Sequence, residues 1–219
     1  MEESWDSKIP ISNEDATKYI QCMEEIKRRT SAISSIMRRR HTTHYQATNI
    51  EFICLQNRKI LELIALASLS ANKEEYAKQH ANFFKHWQAK RILESIEKKN
   101  PFFYPIPQRD TGALTRGMRT VELITEGYLT KAEFADAYDL CSRALHADNP
   151  YNATINYHWF EKQIPEWMEK IKTLLNHHQV HLVSKDNKLR ALWVIMRSED
   201  ESARGWIFEK LDPENIPPK

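Results

Sequence analysis

Glycine is scarce: the 219-residue chain has four, Gly112, Gly117, Gly127 and Gly205. Walker and dinucleotide loops need several glycines within a few positions, so neither can be assembled and no nucleotide cofactor is expected. Cysteine is almost as rare. Cys22, Cys54 and Cys141 make no CxxC pair and are too few for a disulfide framework, which points to a reducing compartment. None has an adjoining histidine, and Gly-x-Ser-x-Gly is absent, so no activated nucleophile is marked.

Long hydrophobic runs are missing too. The most apolar stretch, ILELIALASLSA, lies between Lys59 and Lys73 and contains Glu62, well short of the roughly 18 apolar residues of a membrane helix. The start, MEESWDSKIP, is acidic and polar where a secretory signal is basic and then apolar. A soluble, cytoplasmic protein without membrane contact is expected. Charge of one sign is also lacking: 32 basic against 30 acidic residues leave a net +2, so any case for an anionic partner must be local.

What is present reads as helix. Ser12 or Asn13, followed by Glu14 and Asp15, opens a helix in which Tyr19, Cys22, Met23, Ile26, Ile33 and Met37 recur at helical spacing to about residue 37. A second helix over about 45–69 carries apolar residues so densely that it must be the central core helix. A partner helix follows Asn72, with Tyr76, Phe83, Phe84, Trp87, Ile92 and Ile96 on its apolar face, ended by Pro101. Residues 101–119, with three prolines and two glycines, read as a long loop. Thr130 and Glu133 form a capping box for the next helix. Another spans about 155–176, where Pro165 predicts a kink or two shorter helices. Alternating, β-branched segments around Asp186-Asn187 and in GWIFEKL predict a small C-terminal antiparallel meander. The expected fold is mainly α, a bundle of about five or six helices over 1–176 with a small β appendage over 177–219, forming one structural unit.

Local charge is concentrated. Between Lys27 and Ile50 stand Lys27, Arg28, Arg29, Arg38, Arg39 and Arg40 with no acidic residue. Arg38, Arg39 and Arg40 either neutralise phosphates of a bound RNA or simply complement the negative end of the first helix. Within RRRHTTHY, Arg39 and His44 have four residues between them. An imidazole able to take a proton from an RNA 2'-hydroxyl, beside a guanidinium that stabilises the phosphate, needs no metal.

NIEFICLQNRKILELIALASLSANKEEY, with Gln56, Arg58 and Glu62 on an otherwise apolar helix, resembles the core helix of bacterial HEPN-like proteins. YDLCSRALHADNPY is similar to the histidine-bearing helix near their end, and the likeness covers roughly residues 45–160. The resemblance implies a helical domain that is either a ribonuclease of a toxin or antiphage system or a catalytically silent interaction module. Counting back from His146, the places where active members carry arginine hold Cys141, Leu140 and Asp139, and the nearest arginine is Arg143. Arg143 and His146 lie one turn apart. With Arg58 and Glu62 they form either a polar cluster with a function or a structural ion pair in the core.

His177, His178 and His181 form HHxxH without a companion carboxylate, so no metal is expected. In PFFYPIPQR, Phe102, Phe103 and Tyr104 stand near Arg109, Arg116 and Arg119, either as stacking surfaces or as a lid on the core. Two functions follow as expectations. The first is a HEPN-like protein that docks on a protein partner or homodimerises, without catalysis. The second is a metal-independent endoribonuclease using Arg39 and His44, or His146 with an arginine from another helix or subunit. Neither requires a cofactor.

Overall fold

A computed structural model describes residues 13–72, 89–98, 100–115, 118–147, 151, 154–182, 190–198 and 200–209. Helix α1 spans Asn13–Met37 and α2 spans Gln46–Ala71. Helix α3 is Ala89–Glu97, α4 is Lys131–Ala144 and α5 is Tyr157–Leu175. Strands β1 (Ile106–Thr115) and β2 (Met118–Leu123) precede α4. Strands β3 (His177–Leu182), β4 (Arg190–Ile195) and β5 (Arg204–Glu209) follow α5.

Helix α2 occupies the centre, with α1, α3, α4, α5 and β3 all packed on it. Ile50, Ile53, Cys54, Ile60, Leu61, Ile64, Ala65 and Ala67 are buried along its length. The expected partner helix is present as α3 over 89–97; its first part, with Tyr76, His80, Phe83, Phe84, His86 and Trp87, lies outside the described residues. The capping box of α4 forms as read, Glu133 accepting from the Thr130 backbone N–H at 2.9 Å. Helix α5 runs without interruption through Pro165. That proline cannot donate to the carbonyl of Glu161, and both residues are exposed, so the lost bond falls on the solvent side of the helix.

The chain is mainly helical, but its sheet is larger than a small C-terminal meander. Five antiparallel strands run in the order β2-β1-β3-β4-β5. Residues 101–119, expected as a long loop, instead supply most of a hairpin: Arg109 pairs with Glu122, and Thr115 with Met118 across a two-residue connection. Pro107 is tolerated in β1 because it acts through its carbonyl, which accepts from the Ile124 N–H at 3.0 Å. Gly112 takes φ 72° where the register shifts between Asp110 and Leu114, a bulge that favours glycine. Hairpin and C-terminal strands join through Ile106↔Gln179 and Pro107↔His178.

One face of the sheet meets the helices. Val180, Leu182, Leu192 and Val194 point inward, and α1 lies close enough that a Cβ on Gly205 would approach Ile20 Cδ1 to 2.9 Å. Beside this contact, Tyr19 O–H and His178 Nε2 are 2.8 Å apart, and His178 Nδ1 is 2.7 Å from the Leu175 carbonyl. A carbonyl can only accept, so Nδ1 carries the proton and Nε2 accepts from Tyr19. Both residues are fully buried, and desolvation lowers the His178 pKa from 6.5 to about 4.

Below pH 6.5 the unfolded chain therefore binds a proton at this position that the folded chain refuses until about pH 4. Stability falls across that window by about 3 kcal/mol at most. His181, lowered by the same burial effect, adds with the same sign. Urea denaturation between pH 6.5 and 5, above most carboxylate titration, is expected to show the loss. A flat profile there would contradict a neutral His178.

Candidate functional site

The link between α1 and α2 is short and tightly held. Arg39 N–H donates to the Ile36 carbonyl at 2.9 Å, Arg40 N–H donates to Ser35 at 3.0 Å, and Arg39 has φ 53°. This is a Schellman termination, in which the left-handed residue is usually glycine. Here it is arginine, in a conformation that costs a non-glycine residue about 1–2 kcal/mol. His44, with φ 106°, is left-handed as well. Asn49 braces the turn from the first part of α2: its Oδ1 accepts from Thr43 N–H at 2.8 Å, Thr43 O–H at 3.1 Å and Thr42 O–H at 3.3 Å.

Arg39, His41 and His44 all line one cavity of about 570 Å³, with Tyr45, Gln46, Asn49 and Glu161 completing its polar wall. Ile50, Ile53 and Ile164 form an apolar part of the wall. Helix α5 is stitched to α2 beside the cavity. Gln46 Nε2 donates to Glu161 Oε2 at 2.9 Å, and Tyr157 O–H donates to Glu51 Oε1 at 3.1 Å. His158 Nδ1 stands 3.6 Å from the same Glu161 oxygen. His41 is oriented by Ser35, with Nδ1 and Oγ 2.6 Å apart. Arg38 and Arg40 are exposed beside the cavity without lining it.

The sequence pointed to Arg39 and His44, and the structure places both on this cavity. It missed His41, Tyr45, Asn49 and Glu161. His41 lies inside the quoted motif but off the arginine-histidine spacing, while Glu161 arrives by the packing of α5.

The polar cluster on α2 is smaller than expected. Arg58 Nε donates to Glu62 Oε1 at 3.2 Å, Tyr138 O–H donates to the same oxygen at 3.2 Å, and the guanidinium sits 5.2 Å from the Tyr138 ring centroid. Arg143 and His146 are exposed at the end of α4 and make no hydrogen bond or ion pair with Arg58 or Glu62. Arg143 instead borders a separate cavity of about 420 Å³ with Asn156, Trp159 and Phe160. Cys22 and Cys141 are poor nucleophiles. A hydrogen bond with Cys54, together with burial, pushes the Cys141 thiol far above its usual range, and burial raises Cys22 to about 11.

Among the described residues, no group of three or more His, Cys, Asp or Glu is placed to hold a metal ion, and no helix is long and apolar enough to cross a membrane. His178, one member of HHxxH, is committed to Tyr19 and Leu175. Comparison of the chain with protein-family models, with curated proteins and with solved structures finds no match.

Arg39→Gly and His44→Gly relieve left-handed strain, and each is expected to raise unfolding free energy by about 1 kcal/mol in urea denaturation. Loss of stability in either variant would mean that the native side chain contributes more than its backbone conformation costs.

Proposed function

We propose that the α1–α2 bend binds RNA and cleaves its phosphodiester backbone without a metal. The observation that carries this reading is the convergence of Arg39, His41 and His44 on one cavity, with two of the three in left-handed backbone conformations. Strained backbone at several lining residues of a polar cavity is characteristic of sites where geometry serves chemistry.

The reaction matches the groups present. One of the two imidazoles takes the proton of the 2'-hydroxyl, whose oxygen attacks the adjacent phosphorus. The bond from phosphorus to the 5'-oxygen breaks, and the other imidazole gives that oxygen a proton, leaving a 2',3'-cyclic phosphate and a 5'-hydroxyl. Arg39 stabilises the charge on the phosphoryl oxygens. Ser35 sets the orientation of His41, and Arg38 and Arg40 draw the flanking backbone to the bend.

In this reading the protein is a HEPN-like domain whose reactive pair has moved from the histidine-bearing helix to the bend. A second reading, a silent HEPN-like module that acts by binding a protein partner or a second copy, is favoured by the mutually satisfied Arg58–Glu62–Tyr138 cluster, although Arg143 and His146 stand apart from it. One experiment separates the two. Purified protein is incubated with mixed tRNA and mRNA in EDTA, beside Arg39→Ala, His41→Ala, His44→Ala and His146→Ala.

Cleavage should leave 2',3'-cyclic phosphate ends, fall about 10²–10³-fold in Arg39→Ala and about 10²–10⁴-fold in His41→Ala or His44→Ala, and survive in His146→Ala. Intact RNA with the wild-type protein would overturn the nuclease reading and leave the silent module. Loss confined to His146→Ala would move the site to α4.

A further inference from the structure

We propose that a cavity between α1, the last turns of α5 and the segment after β4 binds a small aliphatic carboxylate of the medium-chain fatty acid class. The tail lies inside and the carboxylate at the mouth. The site is separate from the bend and does not rest on the RNA reading. Its construction follows from how the three segments meet. Met196 N–H donates to the Asn176 carbonyl at 2.9 Å, which ties the chain leaving β4 to the end of α5. Glu24 of α1 accepts from the Ala203 N–H, and Lys27 Nζ donates to the Glu201 carbonyl, so α1 is tied to the connection between β4 and β5. Between these ties lies a space of about 230 Å³.

The walls decide what the tail is. Ile26, Met168, Ile171, Leu175 and Met196 line the cavity, and all five are buried. Two of them are methionines, whose unbranched, flexible chains adapt to the shape of an occupant. No aromatic residue is among the described residues that line it, so nothing is offered for a nucleobase to stack on. An aliphatic cavity of roughly 150 Å³ takes up benzene. The 230 Å³ here therefore leaves room for a tail of about six to eight carbons, and falls below the roughly 300–1,000 Å³ of sites for drug-sized ligands.

The mouth decides what the head is. Lys27, Lys172 and Arg197 line the cavity, and among the described residues no aspartate or glutamate does. Carboxylates stand near all three cations, but they are engaged elsewhere or weakly held. Glu24 Oε1 takes the Ala203 N–H, Glu201 Oε1 takes Arg197 Nη1 at 2.6 Å, and Glu201 Oε2 takes the Ser198 hydroxyl at 3.3 Å. Lys172 Nζ is 3.6 Å from Glu169 Oε2 with both side chains largely in solvent, where such pairs are weak. Lys27 is the deciding group. Its side chain is only 10% exposed, and Glu24 Oε2 lies 3.7 Å from its Nζ, too far for a hydrogen bond. An ammonium carries three donors, of which the Glu201 carbonyl takes one. A buried cation with donors to spare, beside an apolar cavity, favours an anion that brings its own tail. Arg197 joins the same wall from left-handed backbone, φ 62°, a conformation that concentrates at ligand clamps.

Isothermal titration calorimetry of the full-length protein with octanoate tests the site. Octan-1-ol, which has the tail without the charge, and octylamine, which reverses the charge, are titrated beside it. Octanoate is expected to bind, octan-1-ol at least about tenfold more weakly through loss of a charge-assisted hydrogen bond, and octylamine not at all. Lys27→Met keeps the aliphatic stem and removes the ammonium, so octanoate should weaken about tenfold or more while octan-1-ol stays within about threefold. Lys172→Gln, at the exposed rim, should keep the fold and weaken octanoate about two- to fivefold.

Absence of octanoate binding, equal affinity for octan-1-ol or octylamine, or unchanged octanoate affinity in Lys27→Met would overturn the site. Where Lys27→Met does not fold, the decision passes to Lys172→Gln, and unchanged octanoate affinity in that variant overturns it.

Discussion

The structure depends on the need to bury α2 on nearly every side. Its apolar residues are spread around the helix, and no single neighbouring surface can take them all out of water. Each large apolar side chain fully removed from water contributes roughly 1.5–3 kcal/mol, so leaving one flank open would cost much of a domain's net stability. Four helices and β3 pack on α2, and the sheet closes over the outer side of α1. Burial is so demanding that polar atoms are carried inside: Asn57 Oδ1 and Nδ2 and Ser68 Oγ are buried without hydrogen-bond partners among the described residues. Such groups weaken a core, and the surrounding apolar burial outweighs them.

The same requirement creates the candidate site. Helices α1 and α2 pack along each other, yet only the eight residues from 38 to 45 connect them. The chain must end α1 abruptly and re-enter α2 within that length, which calls for left-handed residues. Glycine would serve with less strain, but these positions hold Arg39 and His44. A core constraint thus places an arginine and a histidine in strained backbone at the mouth of a cavity.

Local chemistry made much of this legible. Helix α1, helix α2 and the Thr130–Glu133 capping box depend on residues within one or two turns of each other, and each formed where the sequence pointed. The C-terminal strands were readable for the same reason, through alternation. The hairpin over 106–123 was not. Pro105, Pro107 and Gly112 are loop residues by local preference, and only pairing with β3, roughly seventy residues away in sequence, gives Ile106 and Pro107 a place in the sheet. Arg39 and His44 were found by spacing alone. His41 escaped because its contribution depends on Ser35 six residues back, and Glu161 because it belongs to a helix whose docking leaves no local trace.

Helix α1 joins the two regions mechanically. It touches the sheet through Tyr19 and Ile20 near its start and ends in the bend, and a helix packed along α2 behaves as a rod rather than a hinge. The two ends are nevertheless held by different forces. The bend is fixed by backbone hydrogen bonds and by Asn49, and His41 is held there by Ser35. The sheet end includes a buried, neutral His178 that accepts a hydrogen bond only while unprotonated. The cavity at the bend is anchored by contacts within α1, α2 and α5 and does not depend on that histidine.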